Sequence, residues 1–168
     1  MKLFKKLAAA ALAAVLALSM VGCDNANSVN STKQFILNFL ADSTVMSTGE
    51  YHNTSEMDGI AQKLLTEANA AYQDETQTDK TVKALMRAVA EKEGILKEGT
   101  GYEISFVEDY QFKSSLIPEV QKQLMLMQMM DTIEVNGGIA LDATKLDVGV
   151  AVGKIGDKTY AVVVMTSA

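Results

Sequence analysis

The stretch LDVGVAVGKIGDKTYAVVVMTS, residues 146–167, limits what this chain can fold into more than any other. It reads as two strands joined by Gly156-Asp157, a two-residue hairpin turn in which glycine supplies the backbone freedom. That turn sets a register: Ile155 opposes Lys158, Gly153 opposes Tyr160, and Val150 opposes Val163. One face then carries Val148, Val150, Val152, Ala161, Val163 and Met165. The other carries Gly149, Ala151, Gly153, Tyr160, Val162 and Val164. Both faces are apolar, so each needs cover, which predicts a small antiparallel sheet between helical layers. The Gly/Ala face lets one helix come close.

The rest of the chain supplies the cover. Phe35, Ile36, Phe39, Leu40 and Met46 form one helical stripe, with Ser31 or Thr32 available as its cap. The segment TGEYHNTS then interrupts the period and reads as a loop. Met57, Ile60, Ala61, Leu64, Leu65, Ala68, Ala71 and Tyr72 fall on one face of a second helix, and Ser55 with Asp58 fits a capping box. A polar link, QDETQTD, leads to a third helix with Val82, Leu85, Met86 and Val89 inward, ended by Gly94 with Ile95 behind it. Tyr102, Ile104 and Phe106 alternate with Glu103 and Ser105, the pattern of a strand near 102–107. A fourth helix follows, with Pro118 in its first turn and apolar residues from Leu116 to Ile133. The expectation is an α+β domain: the hairpin and the 102–107 strand form an antiparallel sheet between about four helices, in what would be three α-β-α layers.

At the other end of the chain, Lys2, Lys5 and Lys6 precede an apolar run from Leu7 to Leu18, the order of a secretory signal. A spanning helix needs about 20 apolar residues, and this stretch turns polar at Asp24. Met20-Val21-Gly22-Cys23 resembles the lipobox of bacterial lipoproteins, with Met20 in place of the more usual Leu. The resemblance implies cleavage before Cys23, a diacylglyceryl group on its thiol, and attachment to the membrane. Cys23 is the only cysteine, so no disulfide can form within the chain. An ordinary signal peptide cleaved nearby would instead leave a free thiol in an oxidising compartment. In Gram-negative members of the class an Asp after the Cys, as Asp24 is here, marks retention at the inner membrane. The expected organisation is a signal peptide at 1–22, a lipidated polar tether at 23–31, and a single domain at 32–168.

Three of the 15 basic residues and none of the 21 acidic ones precede Cys23, so the part beyond the signal has 12 against 21, a formal charge of −9. An acidic domain without a basic cluster disfavours nucleic acid as a partner. The helices-strand-helix-hairpin order, with Val148-Gly149-Val150-Ala151 and Tyr160, also looks like the C-terminal part of bacterial CAP domains. That resemblance implies a secreted three-layer α-β-α module. The cavity of that family is lined by His and Glu, and the corresponding stretches here lack histidine, so no functional residue carries over.

The residues offer little for catalysis. His52 is the only histidine, and a triad would run through it with Ser55 and one of Glu50, Glu56 or Asp58; a solvated loop histidine is the plainer reading. MLMQMM, residues 125–130, places Met125 with Met129 and Met127 with Met130 at helical spacing. Such thioethers could hold Cu(I) or form a greasy binding surface, but methionine is also a core filler. GVAVGKIG lacks the Ser or Thr and the following helix of a phosphate loop. Glu108, Asp109, Asp142 and Asp147 lack calcium-loop spacing. Lys63, Glu67, Lys83, Arg87 and Glu91 read as solvated helix faces. The sequence therefore predicts a non-catalytic, lipid-anchored extracytoplasmic binding domain with no catalytic, cofactor or metal residues. Its expected partners are the membrane through Cys23 and an envelope protein or cell-wall component, with a small ligand as the alternative.

Overall fold

A computed structural model describes residues 25–41, 50–108, 130–140 and 143–168. The chain divides into two units, Met1–Ser31 and Thr32–Ala168, and the second holds the sheet. In chain order the described elements are α1 (Asn25–Ala41), β1 (Glu50–Asn53), α2 (Ser55–Gln73), α3 (Val82–Ala90), β2 (Tyr102–Glu108), β3 (Asp131–Val135), β4 (Lys145–Ile155) and β5 (Lys158–Ser167). The five strands form one sheet in the order β1-β4-β5-β2-β3.

The hairpin β4–β5 forms in the register its turn dictates, with Ile155 opposite Lys158, Gly153 opposite Tyr160 and Val150 opposite Val163. Gly156 has a φ of 66°. A glycine at the first central position suits the tight turns that match strand twist. β2 pairs antiparallel with β5, and β3 with β2. β1 pairs with β4 in parallel, which corrects the expectation of a purely antiparallel sheet. The segment read as a loop, around Glu50–Asn53, is therefore an edge strand.

α2 lies along the small-residue face of β4. A Cβ on Gly149 would run into the backbone of Met57 and Asp58, and one on Gly153 would meet Leu65 Cδ2 at 2.6 Å. The stripe Met57, Ala61, Leu64, Leu65 and Ala68 is buried there, with Leu85, Met86 and Val89 of α3 in the same cluster. Each such leucine contributes about 2 kcal/mol by leaving water. The opposite face of the hairpin is buried as well: Val148 is 0 % exposed and Val163 1 %.

Helix ends depart from expectation in instructive ways. The cap of α2 is Thr54, not Ser55: its Oγ1 accepts from Met57 N at 3.2 Å. Asp58 thereby sits one position too late for a capping box, and its carboxylate is used elsewhere. α3 is capped by Thr81 and ends at Ala90, so Gly94 does not terminate it. With a φ of 80°, Gly94 belongs to the turn that follows. α1 begins at Asn25, so Ser31 and Thr32 are interior and the residues expected as a tether from 25 onward are helical. Three helices, not about four, are present among the described residues. Ile133, expected at the end of a fourth helix, is a buried residue of β3, where exposed Thr132 and Glu134 flank it in strand alternation. The remainder of that helix, Leu116 to Met129, lies outside the described residues.

Candidate functional site: an open cleft beside the first turns of α2

α2 begins directly after β1, so its first turns stand at the edge of the sheet. Ser55, Glu56, Gly59, Ile60 and Lys63 recur at helical spacing and share one side of it. Facing them is the turn Gly94-Ile95-Leu96-Lys97, which connects α3 towards β2. Tyr102, the first residue of β2, closes the base, and its hydroxyl accepts from Lys97 N at 3.4 Å. Together these residues line an open cleft of about 380 Å³, at the small end of the range that ligand pockets occupy.

Gly59 is the informative residue. Glycine inside a helix costs about 1 kcal/mol relative to alanine, and tight packing would normally justify it. Here nothing lies within 4 Å of where a Cβ would stand. Its effect is to leave the side of the cleft bare. The sequence signal was available, since Gly59 interrupts an otherwise strong helix, but Lys63 was read only as part of a solvated face.

Next to the cleft, on the β4 side of α2, Asp58 holds several elements together. Its Oδ2 accepts from Lys33 Nζ of α1 at 2.5 Å, and its Oδ1 accepts from Asn53 Nδ2 of β1 and from Val150 N of β4, both at 2.9 Å. Asn53 Nδ2 also donates to Val148 O at 2.9 Å. Burial alone would push the Asp58 carboxyl up. The hydrogen bonds from Lys33, Val150 and Asn53 and the lysine charge outweigh it and hold the group below the usual aspartate value. β1 stops at Asn53, and Asp58 meets the β4 amide that lies just beyond it.

Across the sheet the electrostatics reverse. Glu103 and Glu134 are direct cross-strand partners. Burial, and then the Glu134 charge, push the Glu103 carboxyl up, partly offset by the backbone N–H of Ile139. Neighbouring Ser105 and Thr132 join hydroxyls at 2.9 Å.

The sequence-based candidates fall as follows. His52 lies on β1 and not on a loop; it is half exposed, with Nε2 3.9 Å from Glu50 Oε2. Ser55 and Glu56 line the cleft, and Asp58 is committed to its structural bonds. Lys154 sits in β4 opposite Thr159, which is strand geometry. Cys23 and Met125 to Met129 lie outside the described residues. Among the described residues no three His, Cys, Asp or Glu side chains converge as a metal site, and no helix is long and apolar enough to cross a membrane. No family model matches the chain, and no curated protein and no solved structure shows significant similarity to it.

Proposed function

We propose that this chain is a bacterial lipoprotein whose acidic α+β domain is tethered through Cys23 on the extracytoplasmic face of the membrane and works by binding, without catalysis. The observation that carries this reading is the order of charged start, apolar core, small residue and lone cysteine over residues 2–23. Two acyl chains suffice for stable attachment, because each buried methylene contributes about 0.8 kcal/mol. The partner is an envelope protein or a cell-wall component; the domain charge of −9 speaks against nucleic acid. The same reading takes the fold to three layers, and burial of Val148, Val150 and Val163 on the side away from α2 supports it.

The test is metabolic labelling of the full chain with a radioactive fatty acid in a bacterial host, followed by fractionation. Label should enter the protein, stay with the membrane fraction, and be absent from Cys23→Ser. An unlabelled wild-type chain recovered in the soluble fraction would sink the anchor. Photo-crosslinking from exposed positions in the labelled cells then identifies what the domain touches.

A further inference from the structure

We propose that the cleft between α2 and the Gly94–Lys97 turn binds a small organic anion: a molecule with one carboxylate and a short apolar body. The inference rests on the binding reading above, though not on the lipid. Three observations converge on it. First, Gly59 bears the cost of a helix-interior glycine where packing asks for none, and the space it leaves opens into the cleft. Second, part of the wall is apolar: Ile60, Ile95 and Leu96 line the cleft and are partly buried against the core, so an alkyl or small aliphatic group would gain from leaving water beside them. Third, the charge of the lining departs from that of the whole. Lys63, Lys97 and a single carboxylate residue, Glu56, line the cleft, giving a local balance of plus one in a chain with more acidic than basic residues. Among the described residues neither lysine makes an ion pair.

The same count sets the charge of the ligand. One negative group neutralises the lining, whereas a dianion would leave an excess negative charge beside Glu56. Lysine ammonium groups act as mobile point charges and need no planar partner. An apolar cation would meet two like charges and one opposite, and should be rejected.

The experiment is a titration of the uniformly ¹⁵N-labelled full chain in detergent, followed through its amide resonances, with hexanoate, hexylammonium and hexyl phosphate as probes of equal chain length. Hexanoate should give saturable shifts at Gly59 and Leu96, and hexylammonium none. Lys63→Glu should weaken hexanoate at least tenfold. Gly59→Leu should abolish the shifts while leaving thermal unfolding unchanged or raised, because the substitution improves helix propensity, its Cβ meets no neighbour, and the rest of the side chain has the open cleft to enter. Saturable binding of hexylammonium, or hexanoate shifts that survive Gly59→Leu, would overturn the assignment. Tighter binding of hexyl phosphate than of hexanoate would overturn the single-charge argument in favour of a phosphate ligand. Absence of any saturable shift, with protein crosslinks in the envelope retained, would remove this ligand and leave the binding reading standing.

Discussion

One row of paired residues crosses the sheet from edge to edge: Asn53, Val148, Met165, Glu103, Glu134. At its first end Asn53 shares the Asp58 carboxylate with Lys33 and the Val150 amide, and that group is held below the usual aspartate value in spite of burial. At its other end Glu103 is also partly buried but faces a second carboxylate, and its value rises. Burial pushes both values up, so the opposite outcomes come from what points at the oxygens. Buried carboxylates can hold a sheet edge when donors from separate elements converge on them; set opposite their own kind they cost stability.

Changes that break the first end should be the larger. Gly149→Val forces a side chain into the backbone of the first turn of α2, against which the Asp58 bonds are assembled. A loss of about 3 kcal/mol is expected from such overpacking, read from the urea midpoint at unchanged slope. Asp58→Ala removes the convergence point and leaves the Val150 amide without its partner, at about 2 kcal/mol near neutral pH. Its pH dependence follows from the lowered value. The carboxylate's contribution is present above the ordinary aspartate range and is lost as pH falls through the lower folded value. Wild type and variant should therefore converge in acid; a gap that stays constant to pH 2 would mean that the variant loses packing instead of charge.

At the second end the sign reverses. Glu103 is raised, so ionising it costs the folded state as pH climbs through its folded value. Glu134→Gln should stabilise the protein by about 0.5 kcal/mol at pH 7. The gain should fade below the ordinary glutamate range, where Glu103 is protonated in either state and carries no charge to be repelled. A variant less stable than wild type at pH 7 would show that Glu134 has a favourable partner outweighing the repulsion.

The sequence made some of this architecture readable. The hairpin register followed from strict alternation around a two-residue turn, a local constraint with one solution. The close approach of α2 followed from Gly149 and Gly153 on one face. β1 and β3 were hidden, because each is short and carries few buried residues, and their pairing depends on strands distant in the chain. Asp58 was visible as a polar residue in a first turn, where a capping role is the local default. Its actual partners, Lys33 and Val150, are 25 and 92 residues away. The cleft was half legible: Gly59 stood out in the helix, but the turn that completes the lining could be placed only by the fold.

The Asp58–Val150 bond has a consequence beyond the stability of one molecule. β1 is four residues long and β4 eleven, so β4 extends well past its neighbour. An unpaired amide there would be an invitation to a strand from another chain. A carboxylate already bonded to the Val150 amide, with the first turn of α2 lying over the adjacent glycine, withdraws the first such amide. The carboxylate that ends the β1–β4 ladder thus also takes one docking point away from a neighbouring strand.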